Sequence, residues 1–148
     1  MSNRNSLKSK TLYKKFLGFL IKKGNLVSAK RILDNTFFLV SKKTGYSMEL
    51  ALLKLFLTLN SFVEVKKVRI RRRSFLVPFS VNLKRRSYLI VKWLMEAIKE
   101  DTKRDSLSNK LSAEIIRVLS GSSTKSKKLK SLNISQAIAN RSNIHYRW

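Results

Sequence analysis

The chain has 148 residues, of which 43% are hydrophobic, so one domain with a buried core fits and two ordinary domains do not. Against 33 Lys and Arg stand 8 Asp and Glu, a formal net charge of +25 at pH 7, and self-repulsion on that scale calls for a polyanionic partner. The absence of cysteine excludes disulfides, thiolate catalysis and the usual zinc fingers, and the apolar stretches at 17–21 and 50–59 fall short of the roughly 18 residues that a membrane span requires.

Charge placement narrows the partner. No acid precedes Asp34 and none follows Glu114, so both ends are purely cationic. Such ends serve as arms that reach a polyanion, whereas an enzyme acting on nucleic acid concentrates carboxylates for its chemistry. The opening MSNRNSLKSKTLYKK has the composition of an organelle transit peptide and equally of an RNA-binding arm. We read residues 1–11 as a basic N-terminal arm.

In chain order, Leu12, Phe16, Phe19 and Leu20 recur at helical spacing and predict a first helix over 12–23, stopped by Gly24-Asn25. Ala29, Ile32, Leu33, Thr36, Phe37 and Val40 form the stripe of a second, closed by Lys42-Lys43-Thr44-Gly45. Ser47 caps a third, with Met48, Leu52, Leu55, Phe56 and Leu59 inward. The period then changes to two: 62–70 and 75–81 read as strands, joined through Arg71-Arg72-Arg73-Ser74 into an antiparallel hairpin. Lys66-Lys67 interrupts the alternation and suggests a bulge, while Pro78 suits an edge strand. After the hairpin, Ser87 is the expected cap of a fourth helix carrying Ile90, Trp93, Leu94, Ala97 and Ile98, with Trp93 read as core. A fifth carries Leu107, Leu111, Ile115 and Val118, and a sixth, 128–140, has Leu129, Leu132 and Ile138 as its apolar positions. The fold class is therefore mainly α: a six-helix bundle with a protruding two-stranded antiparallel β-hairpin between helices three and four. Residues 12–140 form a single helical RNA-binding domain with its hairpin at 63–81, and 141–148 are a basic C-terminal tail.

No active site is legible. The only histidine, His145, sits in the cationic tail, and Glu96, Glu100 and Asp101, the acids grouped most closely, lie beside Lys99, Lys103 and Arg104, where surface pairing is the better reading than Mg²⁺ binding. No glycine-rich phosphate loop is present among the four glycines. We expect no enzyme, no cofactor and no metal.

Three basic elements are candidates for binding RNA. The first is the N-terminal arm and helix, with Arg4, Lys8, Lys10, Lys14 and Lys15, followed by Lys22 and Lys23. The hairpin and the entrance to helix four supply Lys66, Lys67, Arg69, Arg71, Arg72, Arg73, Lys84, Arg85 and Arg86. The tail region supplies Lys127, Lys128, Arg141, Arg147 and Trp148. A single basic run is as readily a solvated face; three runs with acid-free ends point to a polyanion. Guanidinium forks at Arg71–Arg73 suit phosphates and bases, and Trp148 could stack on a base or pack back on the domain.

Val-Glu-Val-Lys from Val63, Val-Pro-x-x-Val from Val77, Lys-Trp-x-x-Glu-Ala from Lys92 and the ending Ala-Asn-Arg-Ser-Asn-Ile-His-Tyr-Arg-Trp resemble, in order and spacing, the seventh small-subunit ribosomal protein family. The resemblance spans nearly the whole chain and implies a bundle of six helices with a protruding hairpin. It implies binding to the 3′ major, or head, domain of small-subunit ribosomal RNA, support of head assembly, and a hairpin facing the tRNA exit site near the exit of messenger RNA. It also implies the eleventh small-subunit protein as a neighbour, and no membrane. The sequence departs from the family pattern at the hairpin turn, where Arg71-Arg72 replaces Gly-Gly, and in the first interhelical loop, where Lys22-Lys23 precede the glycine instead of following it. Few glycines and abundant Lys, Asn, Ser and Phe resemble an organelle-encoded member, placing the protein in the mitochondrial matrix, with the plastid as alternative. Short helices and net charge also fit two other classes: a helix-turn-helix DNA-binding regulator, which predicts duplex DNA preference and dimer symmetry, and a cationic membrane-active protein using the first helix.

Overall fold

The computed structural model describes residues 2–102 and 104–147, with side chains from residue 6 onward. Its order is α1 (Ser2–Leu20), α2 (Leu26–Thr44), α3 (Met48–Leu59), β1 (Val63–Ile70), β2 (Arg73–Ser80), α4 (Leu83–Lys99), α5 (Leu107–Leu119), α6 (Lys125–Ala139) and a closing 3-10 turn, Arg141–Tyr146. The mainly α architecture with one hairpin after the third helix is the one the periodicities predict.

The predicted apolar stripes meet in one core. Leu12 and Phe16 of α1, Leu33 and Val40 of α2, Leu55 and Leu59 of α3, Ile90 and Leu94 of α4, and Leu111 and Ile115 of α5 are completely buried in it. Phe16 meets Phe37 edge-on, with ring centroids 6.2 Å apart, the geometry that an aromatic quadrupole favours. The helix ends are closed as composition suggests. Asn25 Oδ1 accepts from the Ser28 amide at 3.0 Å, and Gly45, at φ 71°, donates its amide to the Ser41 carbonyl at 2.8 Å, a left-handed cap that glycine adopts without strain.

A second, smaller cluster of Val81, Leu89 and Trp93, with Tyr88 and Leu129 against it, seats the root of the hairpin on α4 and α6. Trp93 is thus core, as its stripe implies. α6 gives no residue to the main core; it lies over α4 and β1 instead.

Several local expectations are corrected. α1 begins at Ser2, not Leu12, so the basic segment 2–11 is helical. Ser9 and Thr11 bond their hydroxyls to the Ser6 and Lys8 carbonyls within that helix. An apolar stripe marks where a helix is buried, not where it runs on into solvent. At its other end α1 stops at Leu20, leaving Lys22 and Lys23 in the loop. α4 is capped by Asn82, whose Oδ1 accepts from the Arg85 amide at 3.0 Å. Ser87 lies inside that helix, fully buried, with its hydroxyl 3.1 Å from the Leu83 carbonyl.

The hairpin has no bulge. Its register is continuous from Val63 opposite Ser80 to Ile70 opposite Arg73, so Lys66 and Lys67 simply point to opposite faces. The turn is the two residues Arg71-Arg72, with Arg71 at φ 54°, a conformation that costs a non-glycine residue roughly 1 kcal/mol. Pro78 opposes Val65 on the outer strand, as an edge position allows. α6 starts at Lys125, not at 128, capped by Thr124, and of its apolar positions Leu132 and Ile138 are 55% and 62% exposed.

Candidate nucleic-acid interface

Two of the three predicted basic elements are one surface. The closing 3-10 turn folds back along β2, and Tyr146 stacks on Phe75 with centroids 4.8 Å apart. The Asn143 side-chain amide donates to the Leu76 carbonyl at 3.0 Å, and Arg147 Nε to the Pro78 carbonyl at 2.6 Å. Leu76 and Pro78 sit in pairs whose carbonyls point away from β1, because the neighbouring pair Phe62 and Val81 is hydrogen-bonded. The free edge of the hairpin is therefore closed by the chain end. On the other edge, the Asn133 amide of α6 donates to the Val63 carbonyl at 2.7 Å and to Ser61 Oγ at 3.2 Å.

At the tip, Arg71, Arg72 and Arg73 line a shallow depression floored by Ile70, Phe75 and Tyr146. The arrangement offers guanidinium groups around a stacked aromatic pair, the composition by which proteins hold phosphates and unstacked bases together. At the root, Lys84, Arg85 and Arg86 occupy the first turn of α4. Arg85 is engaged: Nε and Nη2 grip the two oxygens of Glu64 at 2.9 and 2.6 Å. It also lies over Tyr88 at 4.5 Å. The Glu64 carboxyl is held below the ordinary carboxylate value chiefly by this hydrogen bond, against burial, which pushes it up. Arg86 is fixed by an Nε bond to the Val81 carbonyl at 2.7 Å and covers Phe62 at 4.2 Å.

The remaining predicted residues are spread out. Lys10 and Lys14 are exposed on α1 and Lys8 is half-buried. Thr11 of the same helix approaches Ser87 of α4 within 3.4 Å, which sets mid-α1 against the start of α4. Lys22 and Lys23 sit exposed in the loop between α1 and α2. Lys66, Lys67 and Arg69 are exposed along β1. Lys127 and Lys128 open α6, with Lys127 Nζ on the Ser122 carbonyl at 2.8 Å. They stand about 20 Å along the helix from Arg141, at roughly 1.5 Å per residue. The side chain of Arg4, Lys103 and Trp148 lie outside the described residues.

Among the described residues, ion pairs occupy Arg85, Lys92, Arg117 and Lys125, and with 33 Lys and Arg against 8 Asp and Glu most of the cations have no carboxylate to pair with. Acids gather at the far end of α6. Glu100 pairs with Lys125, and buried Glu114 accepts from Ser126 at 2.6 Å. No group of three His, Cys, Asp or Glu that could hold a metal occurs among the described residues.

Sequence reasoning missed Asn133, Asn143 and an apolar groove beside them, lined by Phe62, Pro78, Ile134, Ile138 and Ile144. The two asparagines carry no charge signal, and Ile138 counts among the apolar positions of the sixth helix with nothing in the sequence to mark a groove.

A helical body with a cation-coated ribbon, and most of its charge unpaired, defines a scaffold protein for a folded polyanion. The model of the family described as ribosomal protein S7p/S5e matches residues 2–141, and the chain belongs to that family. It is accordingly a structural, ribosomal-RNA-binding protein of the small ribosomal subunit and not an enzyme. The small ribosomal subunit protein uS7 of Nitrosococcus oceani is 31% identical over 90% of this chain and 85% of its own length. That of Geobacter metallireducens is 30% identical over 90% and 85%. Small ribosomal subunit protein uS7m of Drosophila melanogaster is 28% identical over 90% of this chain and 67% of its own length.

Proposed function

We propose that the chain binds the head domain of small-subunit ribosomal RNA, supports folding of the head, and presents its hairpin, 63–81, toward the tRNA exit site and the path of messenger RNA, beside the eleventh small-subunit protein. The observation that carries this reading is the joining of hairpin and C-terminus into one braced surface, with Arg71, Arg72 and Arg73 around the Phe75 and Tyr146 stack. A ribbon held on both edges can project charge from the body without fraying, which a site reaching beyond the primary RNA contact requires. Phosphate contacts fall to Lys8, Lys10, Lys14, Lys22 and Lys23 on the body, to Lys66, Lys67, Arg69, Lys84 and Arg86 at the ribbon and its root, and to Lys127, Lys128, Arg141 and Arg147 near the chain end. Arg85 supports the site by holding Glu64. Specificity comes from RNA shape and unstacked bases, since side chains do not read the deep groove of an A-form helix.

The proposed compartment is the mitochondrial matrix. Four glycines among 148 residues and the similarity to a uS7m protein support it.

Hydroxyl-radical footprinting of full-length small-subunit ribosomal RNA with the purified chain tests the assignment. Protection concentrated in the 3′ major domain, with a subset of positions lost when Arg71, Arg72 and Arg73 are changed to Ala, is the expected result. Protection scattered over all domains would contradict it.

A further inference from the structure

We infer that the groove between α6, the hairpin root and the closing 3-10 turn is a subsite for one unstacked RNA base, with adjoining phosphates held at its rim; this deepens the RNA-binding reading and rests on it. The groove is open to solvent and offers about 640 Å³, a volume within the range of sites that hold small organic ligands. Phe62 and Ile138, which both line it, are 61% and 62% exposed. Apolar surface of this kind, contiguous and ringed by charge, marks a place where something docks.

The rim selects the occupant. Lys130, Arg141 and Arg147 line it, and among the described residues no acid does. Two of these cations are held in place by the protein. Lys130 Nζ donates to the Thr58 carbonyl at 2.7 Å, and Arg147 is pinned through Nε, which leaves its terminal nitrogens for a ligand. Arg141 is exposed beside them. An apolar protein segment brings no charge to these groups, and a duplex hides its base faces. A single-stranded nucleotide brings a flat apolar face and an anionic phosphate together, and base-on-aromatic stacking tolerates any sequence. Arg86 covers the Phe62 ring from one side at 4.2 Å, and the 61% exposure of Phe62 leaves ring surface for a base.

The test uses the full chain and a short single-stranded RNA carrying 4-thiouridine, with a duplex RNA of equal length as control. Phe62→Ser and Ile138→Ser remove the apolar walls without changing charge, and the exposure of both side chains keeps the fold, verified by circular dichroism. The expected results are crosslinks to the peptides holding Phe62 and residues 134–144, and about tenfold weaker single-strand binding in each variant at an unchanged salt slope, with duplex binding unaltered. Crosslinks elsewhere with unaltered affinity would overturn the subsite, as would equal losses on both RNAs. A labelled acidic, leucine-rich peptide is the third arm: if it binds and Ile138→Ser abolishes that binding while single-strand RNA is unaffected, the groove is a protein dock and the proposal fails. Failure of every RNA to bind the wild-type chain would instead overturn the RNA-binding reading itself.

Discussion

Arg85 holds Glu64 with two hydrogen bonds, Nε to Oε2 at 2.9 Å and Nη2 to Oε1 at 2.6 Å, and so fastens β1 to the first turn of α4. Glu64 is 13% exposed and Arg85 44%, so water screens the pair from one side. Glu64→Gln removes the charge and is expected to lower stability by about 1 kcal/mol or less.

The pH dependence of that pair has a definite sign. The folded-state pKa of Glu64 lies below its ordinary value of 4.5, so its contribution is complete above that value and is lost as pH falls through the depressed one. Thermal midpoints of wild type and Glu64→Gln should differ at neutral pH and converge in acid. A difference that grows in acid would show that the clamp does not work through the carboxylate.

Replacing Arg71, Arg72 and Arg73 with Ala should weaken RNA binding and reduce the slope of log affinity against log salt by about 2 to 3, roughly one per phosphate contact. The tip side chains are exposed, so the melting curve should stay within about 0.5 kcal/mol of wild type. An unchanged slope would remove the hairpin tip from the site.

Asn133→Leu deprives the Val63 carbonyl of its partner on α6, and a loss of about 1 to 2 kcal/mol is expected. The effect should appear in hydrogen exchange as faster opening at β1 than at α2, because the hairpin root and not the main core is loosened. Uniform acceleration over both elements would contradict that division.

Ser126 is completely buried and donates to Glu114 at 2.6 Å. Ser126→Ala strands a carboxylate oxygen that is covered by protein, and denaturant unfolding should report a loss of about 1 to 3 kcal/mol. An unaltered midpoint would mean that water replaces the hydroxyl.

The legible part of this fold is the part written in periodicity. The stripes of Leu12 and Phe16, Leu33 and Val40, Leu55 and Leu59, and Ile90 and Leu94 all point into one core. α6 defeated the same logic, because Leu132 and Ile138 are exposed, Ile138 in the groove that Lys130, Arg141 and Arg147 also line, and a residue's apolarity does not say whether its partner belongs to the same chain. That Arg85 of the basic run is the member that grips Glu64 was not legible, since such a run gives no sign of which cation meets an acid 21 positions earlier. The union of tail and hairpin depends on Arg147 meeting Pro78 across 69 positions, a contact that no local pattern encodes. For the candidate site, charge placement nominates the basic elements, and geometry alone shows how the hairpin is braced.

The most direct test of the central claim is a competition titration at about 0.15 M salt, where long-range charge attraction is screened beyond roughly 8 Å. A fragment of small-subunit head RNA, a scrambled RNA of the same length and a duplex DNA compete for the purified chain. Clear preference for the head fragment is the predicted result; equal affinity for all three would leave a generic cationic binder and contradict the account.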